Sequence, residues 1–209
     1  MKCTKPIILL SIVLLLFCSC SAGTHNVPKP NPDGKVDTTD LDTISRVYVR
    51  TFTPSGGAFL SSWDSAGELE ADTIICYVAY NNLLNKQTED PKLNVHEGGE
   101  YVDNYAPAQA VENCARQYFD VSVDFLRSHK LYEYDGHPDS YLLPDGYGGG
   151  GWNVVLGATQ QDNILQVEIG VGGPDDMEVP SIKGILSIEL GEGTFRYLSY
   201  RLTQHPKGI

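Results

Sequence analysis

Between residues 152 and 202, four apolar-rich segments are divided by turn chemistry, and no other feature limits the fold of this chain as tightly. Leu165, Val167, Ile169 and Val171 alternate with Gln166, Glu168 and Gly170. Ile182, Gly184, Leu186, Ile188 and Leu190 alternate with Lys183, Ser187 and Glu189, with Ile185 out of phase. A period of two is that of a strand with one buried and one wet face. Gln160-Gln161-Asp162 and Gly191-Glu192-Gly193 are short enough for hairpins, which makes neighbouring strands antiparallel. A wider loop spans 172–180. Residues 152–159, 163–171, 181–190 and 194–202 therefore predict a four-strand antiparallel meander.

The dry face of such a sheet needs a cover. Val111, Cys114, Tyr118, Val121 and Phe125 recur at intervals of three and four, which predicts one long amphipathic helix over 107–128. Pro107 suits its first turn, where a missing N–H costs nothing. The fold class that follows is α+β: an antiparallel β-meander with the helix packed on a face. Residues 43–53, TISRVYVRTFT, are rich in β-branched and aromatic side chains and predict a strand. In 72–80, DTIICYVAY, the nearly continuous apolar run with Thr73, Ile74, Ile75 and Val78 favours a buried strand that would extend the sheet, while Glu68-Leu69-Glu70-Ala71 before it and Leu83-Leu84 after it would suit a helix. Residues 58–70, around Trp63, and 87–106 are expected to be irregular. One domain would then occupy 41–205, with a short tail at 206–209.

The N-terminus is of another kind. Lys2 and Lys5 precede an apolar run from Ile7 to Phe17 broken only by Ser11, the pattern of a secretory signal. The run is about half the ~20 residues a membrane-spanning helix needs. It ends in Phe17-Cys18-Ser19-Cys20-Ser21, which resembles the lipobox of bacterial lipoproteins. Phe17 and Cys18 depart from the usual residues, while Ser19 and Cys20 match. The resemblance implies a signal peptide over 1–19, cleavage before Cys20, lipid attachment to the Cys20 sulfur, and a membrane partner through that lipid. It covers about twenty residues and implies nothing for the rest. Pro28, Pro30, Pro32 and Gly34 with many polar residues then mark 20–40 as a flexible tether.

Composition narrows the partners. A net charge of −12, two units more negative once Lys2 and Lys5 are removed, comes with no basic stripe, which argues against nucleic acid. With 41% hydrophobic and 20% charged residues the chain is an ordinary globular one. Cys76 and Cys114 are left after the signal and the lipid site are set aside. In an exported protein they could form one disulfide, or pack as two buried thiols.

Catalytic motifs fail one by one. His96-Glu97-Gly98-Gly99-Glu100 lacks the second histidine of a zinc helix. Asp135-Gly136-His137-Pro138-Asp139 with Asp145 lacks the spacing of a calcium loop, and Asx-turns account for it. No serine sits in Gly-x-Ser-x-Gly. Cys114 lies on an apolar stripe, where a thiol beside His129 is inert. The glycines at 148–151 have no phosphate-loop context. No cofactor and no metal site is expected, and paired carboxylates remain the one open route to an envelope hydrolase.

Tyr132, Tyr134, Tyr141, Tyr147 and Trp152, interleaved with acids and a glycine run, form the most suggestive patch. Aromatic faces beside carboxylates can stack on and hydrogen-bond sugars, although strands favour aromatics anyway. The expected ligand-binding residues are Tyr147, Trp152, Trp63 and Tyr141. The functional expectation is a lipid-anchored, non-enzymatic binding or accessory domain of a bacterial envelope, of the outer membrane in particular, with a glycan, peptide or protein ligand. An envelope hydrolase and a structural partner in an envelope complex are the alternatives.

Overall fold

The computed structural model describes residues 30–50, 52, 57–78, 104–143, 152–173 and 179–204. Its frame is the meander: β3 (Trp152–Gln161), β4 (Ile164–Gly172), β5 (Ile182–Gly191) and β6 (Thr194–Gln204) lie in that order, each antiparallel to the next. The alternation read from the sequence sets the faces. Leu165, Val167 and Ile169 are buried while Gln166 and Glu168 are exposed, and β5 alternates along its whole length. Where residue 156 enters β3 the register shifts, and two further irregularities fall in β6, opposite Lys183–Gly184 and opposite Ser187–Ile188. The chain is thus α+β with antiparallel sheets.

The earlier segments do not extend this sheet. Residues 43–53, expected as a strand, begin instead as helix α1 (Leu41–Ile44), which continues as a wider π-type turn over Ser45–Val49. Asp40 caps it by accepting the Thr43 N–H at 3.0 Å, and Arg46 pairs with Asp42 one turn back at 3.0 Å. Ile44, Val47 and Tyr48 are buried at helical spacing, with Arg46 and Arg50 exposed between them. That burial outweighs the β preference of the side chains, as tertiary context often does. Residues 72–80 were likewise expected as a strand. Residues Ala71–Val78 form α2, in which every side chain but Asp72 is buried, and that enclosure accounts for the nearly continuous apolar run.

The predicted long helix is two short ones. Helix α3 (Ala108–Tyr118) ends where Phe119 turns extended, and α4 (Val123–Arg127) restarts on Ser122, whose hydroxyl accepts the Phe125 N–H at 3.1 Å. The most deeply buried positions are Ala108, Val111, Ala115 and Phe119, so the seam is rotated from the predicted stripe toward the small alanines. Strands β1 (Asn104–Pro107) and β2 (Ser140–Leu143) form a separate antiparallel pair.

An aromatic cluster joins these parts. The Phe52 ring lies 4.4 Å from Tyr197, 5.1 Å from Tyr77, 5.2 Å from Phe59 and 5.9 Å from Phe119, centroid to centroid. The Tyr197 hydroxyl donates to the Tyr48 carbonyl at 2.9 Å, tying the sheet to the first helix. On β6, Trp63 and Tyr200 exchange two backbone hydrogen bonds at 2.8 Å. A loop residue thereby occupies part of an edge that would otherwise be open to another strand.

Part of the segment expected as a tether is held by the domain. The Val36 N–H donates to Gln160 Oε1 at 2.9 Å, and Gln160 Nε2 donates to the Gly34 carbonyl at 3.0 Å. Val36 also packs on the core, so residues from Gly34 onward belong to the domain. Among the described residues no helix is long and apolar enough to cross a membrane. Residues 1–29 lie outside the described set, and with them the predicted signal run and Cys20. The His96–Glu100 stretch lies outside it too.

Candidate functional site

The buried clusters of α1, α2, α3 and the Trp63 loop all gather on the dry face of the meander. The opposite face is built by register. Gly157, Glu168, Ile185 and Arg201 form one row across the four strands, and Thr159, Gln166, Ser187 and Ser199 form the next. A third row runs Gln161, Ile164, Glu189 and Arg196. Apart from the branched aliphatics these are small, hydroxylated, amide or charged side chains.

This face holds a groove of about 300 Å³, lined by Gly157, Ala158, Thr159, Gln166, Glu168 and Ile185. The irregularity in β3 helps to make it, because it brings Gly157 opposite Glu168. A Cβ on Gly157 would lie 3.8 Å from Glu168 Oε2, so the carboxylate sits beside a position with no side chain. The side chains of Thr159, Gln166 and Glu168 make no hydrogen bond or ion pair with another described residue. Their donor and acceptor capacity is turned outward.

Trp152 lies on this same face, at the end of the sheet away from the Asp162–Asn163 and Glu192–Gly193 turns. Its indole lies over Gly172, where a Cβ would come within 2.5 Å of the ring. Glycine at 172 is what lets the indole lie against the strand. Gly170 admits Pro180 and the Leu156 methyl in the same way. The half-buried indole, the exposed Leu156 and the groove therefore share one surface.

The other expected ligand residues do not. Trp63 is 2% exposed, with its indole N–H spent on the Ala58 carbonyl at 2.8 Å. Tyr141 is fully buried, and its hydroxyl donates to Glu112 at 3.3 Å. Both are core residues, and neither can meet a ligand. Tyr147 lies outside the described residues. Cys76 and Cys114 are both thiols in the structure, with no bond between them. Burial, with a smaller contribution from Asp72, pushes the Cys76 thiol up to about 12, so it stays protonated and inert.

The loop that carries Asp139 is braced by Arg127. Arg127 donates from Nε to Glu112 at 2.5 Å and from a terminal nitrogen to Glu112 and Asp139 at 3.2 and 3.3 Å. Its guanidinium also lies 5.1 Å from the Tyr132 ring centre, and the Tyr132 hydroxyl donates to Asp139 at 3.3 Å. These contacts fasten α4 to α3 and to the 131–140 loop, where Glu133 and Asp139 both adopt positive φ. The hydrogen bonds that Arg127 donates to Glu112 raise its pKa further, and burial raises that of Tyr141. Two carboxylates bridged by one guanidinium are an ion-pair brace. Among the described residues no three His, Cys, Asp or Glu side chains gather as a cation site requires.

No family model matches this chain, and searches of curated proteins and of solved structures return no match.

Proposed function

We propose that this is a lipid-anchored protein of a bacterial cell envelope, most simply of its outer membrane. In this reading the domain is a non-enzymatic binding or accessory module. Its glycan, peptide or protein ligand engages the open face of the β3–β6 sheet. The observation that carries the binding part is the groove beside Glu168: a concave patch whose polar side chains have no partner among the described residues, on the same face as an indole laid flat. The lipobox-like residues up to Cys20 support the anchor, and the acidic chain argues for contact with the membrane through lipid, not through a basic surface.

Two variants test the two halves separately. Cys20→Ala is expected to move the protein from the membrane to the soluble fraction, and a variant that still pellets with membranes rejects the anchor. Trp152→Ala is expected to weaken capture of envelope ligands by the otherwise intact protein. Unchanged capture removes the open face from the proposal.

A further inference from the structure

The lining of the groove has a specific chemical complement, and we infer from it that the occupant is a basic side chain, arginine or lysine, of a peptide or protein ligand. The inference rests on the open-face reading above. Three of the six lining residues can accept hydrogen bonds through their side chains: the Glu168 carboxylate, the Gln166 amide oxygen and the Thr159 hydroxyl. Glu168 is the only charged residue among the six. Ile185 and the side-chain-free Gly157 supply an apolar wall and a gap. A long methylene stem beds on apolar surface while its charged head seeks acceptors, and the groove offers both at one place. The head would take the carboxylate as a charge-assisted pair, bidentate in the case of arginine.

The other charges on this face set a direction. Arg201 stands in the same cross-strand row as Glu168 but two strands away, beyond Ile185, and no ion pair joins them among the described residues. Lys183 lies on β5 in the row through Gly170, and Arg196 pairs in register with Glu189 near the opposite end. The groove is thus a negative pole beside a positive flank. A ligand with a basic residue over Glu168 and a carboxylate toward Arg201 matches that polarity. The overall charge of −12 favours the approach of such a cation at long range.

The test uses the purified full chain, amide NMR spectra, and capped Gly-X-Gly peptides in which X is arginine, lysine, citrulline, norleucine or glutamate. Arginine and lysine peptides should shift the amides of Thr159, Gln166, Glu168 and Ile185. The neutral and acidic ones should not. Glu168→Gln should weaken the basic peptides roughly tenfold or more, the weight of one hydrogen bond to a charged group. The interaction should also fade with added salt. Equal shifts from citrulline, or no effect of Glu168→Gln, overturn the basic occupant. A panel of neutral oligosaccharides separates the two levels of the claim. If sugars move these amides and basic peptides do not, the occupant is wrong and the open face stands; if neither moves them, both fail.

Discussion

On the inner face of the sheet, Tyr197 is hemmed by Phe52, Tyr77, Phe119 and Phe195, and its hydroxyl is spent on a backbone carbonyl. On the outer face Ser199, in register with Ser187, looks onto Gln166 and Thr159, whose side chains bond to nothing described. The two faces share strands, register and twist. They differ in whether polar capacity is consumed inside the molecule or left for something outside it. The inner face holds its shape because its aromatic rings lock one another. The outer face keeps its shape only because the inner one does, so its residues can be chosen for contact with a ligand at little cost to stability.

The sharpest way to break this contrast is to cut one residue from each side. Phe52→Ala removes the ring at the centre of the cluster and is expected to cost about 3–5 kcal/mol in denaturant unfolding. Gln166→Ala should stay within about 0.5 kcal/mol, as exposed substitutions do. Comparable losses would mean that the outer face is part of the core.

A smaller effect is expected from alkali. Burial pushes Tyr48, Tyr200 and Cys76 each up to about 12, so the folded state keeps their protons where the unfolded chain, with ordinary pKa values of about 9 to 10, gives them up. The unfolded state then binds fewer protons, and stability falls as pH rises from about 9 toward 12. Thermal melts that stay flat across that window would show these groups to be open to solvent.

The smallest expected change is a gain. Tyr200 lies on the inner side against Gly184, and its buried hydroxyl has no hydrogen-bond partner among the described residues. An unmet buried hydroxyl costs about 1–3 kcal/mol, so Tyr200→Phe should raise the melting temperature while leaving ligand capture unchanged. A lowered melting temperature would mean that the hydroxyl is satisfied after all.

These contrasts also explain what could be read before the structure. The meander was legible because a period of two is written directly in residues 164–171 and 182–190, and the wet half of that alternation is the candidate site. Thr159, Gln166 and Glu168 were visible as the polar half of the strands, but polarity alone does not separate a solvated face from a binding one. What turns them into a groove is the irregular register at residue 156, and nothing in a short run of valine, leucine and glycine announces it. The helices at 41–49 and 71–78 were misread for a related reason. Their β-branched residues favour strands locally, and only their enclosure by distant segments makes them helical. Trp152 was singled out by its chemistry, and the structure leaves its indole half-buried on the open face. Trp63 and Tyr141 share that chemistry and differ only in depth, which spacing along the chain does not encode.

The clasp between Gln160 and residues 34–36 has a geometric consequence. If the proposed attachment at Cys20 holds, the span from it to the domain ends at Gly34 and not at residue 40, which lowers its upper limit from roughly 70 Å to roughly 50 Å at about 3.5 Å per residue. The clasp also sits beside the Asp162–Asn163 turn, with Gly34 against Gly191. An anchor at Cys20, as proposed, would hold the sheet by the end that carries the Asp162–Asn163 turn, and Trp152 lies at the other end. Visitors would arrive from the aqueous side, and the acids at the moored end, Asp33, Asp37, Asp162 and Glu192, would hold it clear of an anionic lipid surface.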